Sequence, residues 1–183
     1  MTWLPMKPVA PVRKIRMTVT TYHPPTRTPS LAEASRATLC PRGSIMHSTG
    51  HRFLDHTADV ALELWAPSKQ QLLAHAACVV MGLLTEGVPI VPNADRVVHV
   101  TGLDDEDLLV RWINEVLWLA TGEGFVMTRA KIDVREHELH AELRGRRDAA
   151  HLVVTEIKSA TYHGLRLARE PDGRWLGRVV LDV

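Results

Sequence analysis

The sequence predicts a single α+β domain, and three observations carry that expectation. Residues 59–65 alternate, with Val60, Leu62 and Leu64 set against Ala61, Glu63 and Trp65, the signature of a strand with one buried face. Two stretches, 68–86 and 104–119, repeat apolar residues at helical spacing. Phe125–Val134 and Leu139–Leu143 flank the polar Arg135–Glu138, which reads as a hairpin.

The chain has 183 residues, enough for one domain with a tail. No apolar run reaches the roughly 18 residues that span a bilayer. Its two cysteines, Cys40 and Cys78, form no framework and no CxxC pair, which points to a reducing compartment, the cytoplasm. The near-neutral net charge of +1 hides an asymmetry. Residues 1–50 hold seven Lys/Arg against Glu33, a net +6, whereas 51–183 hold fifteen against twenty acids, a net −5. Seven of the eleven prolines also fall in the first 50 residues.

That head, 1–50, shows no sustained periodicity and no secretory h-region. A transit peptide or a nucleic-acid-binding arm is the sharper reading of a basic, acid-poor segment. It offers few aromatics for stacking and no run of five basic residues, so the expectation is a disordered extension, or residues never made because translation starts at Met46. The folded domain is expected over 51–183.

Along that domain, Asp55, His56 and Thr57 are turn formers leading into the first alternating strand. Parity puts Asp59 at the strand's mouth, on the side away from the aliphatic core. Ser68 and Gln71 make a capping box for a helix through Leu72, Leu73, Ala76, Val79, Val80, Leu83 and Leu84, stopped by Glu86-Gly87. Val97–Val100 is a short strand. Asp104-Asp105-Glu106-Asp107 opens the second helix, whose apolar residues include Leu108, Trp112, Ile113 and Val116. Acids are favoured at a helix N-terminus and these lack the glycine and terminal glutamate of a calcium loop, so they read as cap and solvated face. Asn114 and Glu115 are polar on an apolar helix and should face an edge or a partner. In the hairpin, Leu139, Ala141 and Leu143 alternate with Glu138, His140 and Glu142, leaving one face wet. Glu156, Lys158, Thr161 and His163 then interrupt a buried-looking segment, and Pro171-Asp172-Gly173 turns a strand through Leu165 and Leu167 into the last one, Trp175–Val183.

An apolar strand running to the last residue implies that this end is held. Parity sets Asp182 off the aliphatic face, one residue before the terminal carboxylate. Asp59, Asp182 and the Val183 carboxylate are hard oxygen donors that suit Ca²⁺, Mg²⁺ or Mn²⁺ and not Zn²⁺. Like charges gathered together need a cation or a proton. Taken alone, the 55–59 stretch is more simply a turn bonded to its own backbone; it is the other end of the chain that makes it a site candidate.

Four blocks in order complete the pattern: Phe53-Leu54-Asp55-His56-Thr57-Ala58-Asp59-Val60, Glu115 within Trp112-Ile113-Asn114-Glu115, Glu156-Ile157-Lys158 followed by Thr161-Tyr162-His163, and the terminal Leu181-Asp182-Val183. Together they resemble the archease family over roughly 51–183, and the combination is far more specific than any one block. The first 50 residues have no counterpart in that pattern.

The resemblance implies a compact domain of mostly antiparallel β-sheet with two main helices packed on it. It implies a non-enzymatic partner of RtcB-type RNA ligases that promotes guanylylation of the ligase histidine and multiple turnover in tRNA splicing and RNA repair. RNA would be met only through the ligase, and no membrane is involved. By the same resemblance a divalent metal, Ca²⁺ first with Mg²⁺ or Mn²⁺ as alternatives, is held by Asp59, Asp182 and Val183; Lys158 takes the place of the activating lysine, and His56 and His163 have supporting roles. Two rivals stand beside this. A chaperone-like or RNA-modification-modulating binding protein would use exposed apolar surface. A metal-dependent hydrolase would need a nucleophile motif, which the sequence lacks. Direct RNA binding is disfavoured by the net −5 of the folded part.

Overall fold

The computed structural model describes residues 49–55 and 59–183. The basic head up to residue 48 and His56 lie outside the described residues. Within them seven strands and two α-helices follow one another: β1 (Gly50–Asp55), β2 (Asp59–Ala66), α1 (Lys69–Leu84), β3 (Ala94–Thr101), α2 (Asp105–Thr121), β4 (Val126–Arg135), β5 (Glu138–Arg146), a 3₁₀ turn (Ala150–Leu152), β6 (Ser159–Arg169) and β7 (Trp175–Asp182).

The strands form two sheets, ordered β1-β2-β7-β6 and β3-β5-β4, and every pairing is antiparallel. The helices pack on each other and on both sheets: α1 lies against β2, β7 and β4, and α2 against β6, β3 and β4. This is the α+β architecture expected, with the sheet divided in two. The division follows from burial. Leu62, Leu64, Val179 and Leu181 line one sheet's core face, Leu139, Ala141 and Leu143 line the other's, and the helices' apolar faces fill the space between. Leu72 of α1 and Leu109 of α2 both approach Gly177 so closely that a Cβ there would stand 3.1 Å and 3.5 Å from them. The helices are tied together by the Trp112 indole, which donates to the Leu73 carbonyl at 2.9 Å. Among the described residues no helix is long and apolar enough to cross a membrane.

The helix boundaries follow local chemistry. Ser68 accepts from the Gln71 amide and starts α1. At its other end Gly87, at φ 69°, donates back to Gly82 O, closing the last turn as a left-handed residue can. Asp104 caps α2 by accepting from Asp107 N at 2.7 Å.

The remaining acids of that block are not a solvated face. Asp105 holds Lys69 at 2.7 Å and approaches His137 at 3.0 Å. Glu106 accepts from Leu167 N. Asp107 is buried. A helix N-terminus docked against β6, the start of α1 and the β4–β5 turn gives these acids partners, which the charge run by itself does not reveal.

Strand β6 also departs from expectation. The segments through Thr161 and through Leu165 are one strand, Ser159–Arg169. Its pairing with β7 jumps from Thr161↔Val180 to Arg166↔Arg178, so Tyr162, His163 and Gly164 lie in a bulge. Gly164 sits at φ 59° with open space around its α-carbon, a conformation glycine adopts at little cost. Bulges re-aim side chains, and this one lets Tyr162 reach α2.

Candidate functional site

Strand β7 runs between β2 and β6, and its last residues bring the two ends of the described domain together. Asp59 is the register partner of Asp182 across β2 and β7, and on the other side Asp182 faces Ser159 of β6. Directly opposed residues share a face, so Asp59, Asp182 and Ser159 form one row across three strands. Parity along β2 and β7 sets this row opposite the Leu62/Leu181 core face. The next row inward, Ala61 and Val180, is buried, so the carboxylates stand at the end of an apolar row. Ser159 carries no sequence signal as a site residue; only the pairing puts it here.

Lys158 reaches the same place from β6's approach. Its amide donates to Asp182 O at 2.8 Å, and its Nζ donates to the oxygen of Val183 at 2.9 Å and stands 3.9 Å from Asp182 Oδ1. Both side chains of that ion pair are about half exposed, so the pair adds little to stability.

The segment bearing Lys158 is fixed on both flanks. Upstream, Val154 N and Thr155 N donate to Leu84 O at the end of α1, and Ile157 is buried in the core. Downstream, Asn114 of α2 accepts from Ala160 N at 2.7 Å and donates to Ala160 O at 3.2 Å. A lysine side chain is flexible; here its backbone is held by a helix end, a core side chain and an amide clamp.

The structure therefore brings together Asp59, Asp182, Val183 and Lys158. His163 lies apart in the β6 bulge, exposed, and His56 is outside the described residues. Opposed like charges on neighbouring strands are destabilising. Asp59 and Asp182 together with the Val183 oxygen, balanced by one lysine, are a donor set that fits a hard divalent cation.

A second polar group secures α2 to β6. Burial alone would raise the Asp107 carboxyl. The Tyr162 hydroxyl (2.5 Å), the Leu103 amide (2.8 Å) and the Arg111 guanidinium (2.6 Å) outweigh it and hold Asp107 below the usual carboxylate range. Tyr162 is pushed above its ordinary value, chiefly by that bond to Asp107, and so keeps the proton it donates. Leu103, Asp104, Glu106, Arg111, Tyr162 and Leu165 surround this carboxylate in a shallow cleft of about 300 Å³. Nearby on α2, burial raises the Glu115 pKa, Glu123 raises it further, and Arg96 opposes both.

Comparison with known proteins identifies the family. The profile of the Archease protein family matches residues 51–183. Protein archease of Archaeoglobus fulgidus is 32% identical over 136 residues, which is 73% of this chain and 98% of that protein. Protein archease of Methanopyrus kandleri is 29% identical, covering 71% of this chain and 96% of its own length. The solution structure of protein 1598 of Methanobacterium thermoautotrophicum superimposes with a TM-score of 0.58 at 25% identity, over 73% of this chain and 99% of that one. With the family profile running over all of β2 through β7 and both helices, the chain belongs to the archease family.

Proposed function

We propose that this protein is a non-enzymatic, metal-binding activator of an RtcB-type RNA ligase, promoting guanylylation of the ligase and its multiple turnover in tRNA splicing and RNA repair. The observation that carries the reading is the opposition of Asp59 and Asp182 across β2 and β7, beside the Lys158–Val183 contact.

Asp59, Asp182 and the Val183 carboxylate would hold a divalent cation, Ca²⁺ before Mg²⁺ or Mn²⁺. The cation would supply concentrated positive charge at an exposed edge. Three carboxylate groups fall short of the six to eight oxygens that Ca²⁺ takes; water or a group from the ligase or its nucleotide completes the shell. Lys158 contributes a compact charge suited to a phosphate, on a backbone that α1 and Asn114 keep in place. RNA is met only through the ligase, and the work is done in the cytoplasm.

The test is guanylylation of the cognate ligase with and without this protein. Wild type should accelerate it, and Asp59→Ala and Asp182→Asn should not. Equal stimulation by wild type and both variants would overturn the reading. A C-terminal extension past Val183 that leaves calcium binding and stimulation intact would remove the terminal carboxylate from the ligand set.

A further inference from the structure

The wet face of the β3-β5-β4 sheet carries a second group of ligands, chemically unlike the first. His99 of β3 and His140 of β5 are register partners. Their rings meet edge to face with centroids 3.5 Å apart, and their Nε2 atoms face each other in direct contact. Glu138, two residues before His140 on the same strand, shares that face. The ligand atoms of His99, Glu138 and His140 all lie within 4.8 Å of one another, and all three residues are exposed.

We propose that His99, His140 and Glu138 form a binding site for a borderline divalent transition metal, Zn²⁺ foremost, with Ni²⁺ and Cu²⁺ in the same class. Two imidazoles and one carboxylate are a donor set that these ions take and that Ca²⁺ does not favour. A tetrahedral ion about 2.0–2.2 Å from each donor sets the donors roughly 3.3–3.5 Å apart. The three ligand atoms already lie within 4.8 Å of one another, close to that spacing.

The backbone is already in place. His99 lies between buried Val98 and Val100, and His140 between buried Leu139 and Ala141, so each imidazole projects from a strand anchored on its opposite face. Two facing imidazole nitrogens are satisfied either by one neutral ring donating its N–H to the other or, once the rings part slightly, by a metal bound to both. Three protein donors leave a fourth position open on an exposed surface, for water or a donor from a partner. The neighbouring strand β4 sets Asp133 opposite His140 and Arg135 opposite Glu138, these two paired with each other at 3.2 Å, while Lys131 is drawn to Glu142 at 3.2 Å. The site is independent of the Asp59/Asp182 pair, which lies on the other sheet.

The experiment is isothermal titration calorimetry of the full chain with Zn²⁺, in Ca²⁺ sufficient to occupy hard-oxygen sites. Wild type should bind one Zn²⁺ whose affinity falls tenfold or more in His99→Ala and in His140→Ala, falls less in Glu138→Gln, and is unchanged in Asp182→Asn. A second imidazole pair, His51 and His75 at 3.1 Å, supplies the control, and His75→Ala should bind as wild type. Zinc binding that survives His99→Ala and His140→Ala, or that is lost only in His75→Ala, overturns the proposal. Circular dichroism of each variant separates loss of ligand from loss of fold, and these solvent-facing positions should leave the spectrum unchanged.

Discussion

Asn114 and the backbone of Ala160 exchange two hydrogen bonds, Ala160 N to Asn114 Oδ1 at 2.7 Å and Asn114 Nδ2 to Ala160 O at 3.2 Å. Strand β6 is an edge of its sheet, and an edge strand presents unpaired backbone groups. The carboxamide occupies the place of a missing neighbouring strand. Asn114→Ala leaves the amide of buried Ala160 unpaired, at a cost of about 1–3 kcal/mol. In a chain of this size each kcal/mol lowers Tm by roughly 2–4 °C. A variant melting within a degree of wild type would refute the clamp.

Asp107 makes acid stability depend on one buried carboxylate. Its folded pKa lies below the unfolded value, so its stabilisation is fully present above the ordinary carboxylate range and lost as pH falls through the depressed value. Asp107→Asn should cost about 1–3 kcal/mol at pH 7. The gap from wild type should narrow in strong acid. Tyr162→Phe, which removes one donor, should cost roughly 0.5–1.5 kcal/mol or somewhat more because the acceptor is charged. Urea unfolding at pH 7 and pH 3 measures both.

Glu115 titrates with the opposite sign. Burial first, and then Glu123, disfavour its ionised form, so its folded pKa is raised. Its contribution to stability is present below the unfolded value, near 4.5, and lost as pH rises through the folded one. Glu115→Gln should therefore melt higher than wild type at neutral pH, with the gain disappearing below about pH 4.5. A variant less stable than wild type at pH 7 would show that the carboxylate has a favourable partner outweighing its burial.

Asp182 and Lys158 should separate metal binding from activation. With calcium at about 100 times its Kd, wild type gains about 2.7 kcal/mol of unfolding free energy by linkage. Asp182→Asn should lose that increment while the metal-free protein is as stable as wild type or more so, since an opposed like charge has gone. Lys158→Met should keep the calcium increment and lose stimulation of the ligase. Thermal melts with and without calcium, run beside the guanylylation assay, decide it; a Lys158→Met protein that stimulates normally would remove the lysine from the mechanism.

Local chemistry was legible because it is written in neighbouring residues. Ser68 and Asp104 cap the helices that their spacing announces. Pro171-Asp172-Gly173 turns β6 into β7, and the alternation through Leu139, Ala141 and Leu143 marks the buried face of β5. Parity by itself sets Asp59 and Asp182 off the core face, whatever strands they pair with. Which strands lie side by side is settled by burying apolar faces that are distant in sequence, and no residue within either strand encodes its partner. Tertiary structure alone therefore decided that β2 meets β7 with Asp59 against Asp182, that the strands divide into two sheets around the helices, and that His99 meets His140. It also decided that Asp107, in what reads as a solvated acidic run, is buried, because docking α2 on β6 adds the Tyr162 hydroxyl to the local Leu103 and Arg111 donors that offset its desolvation.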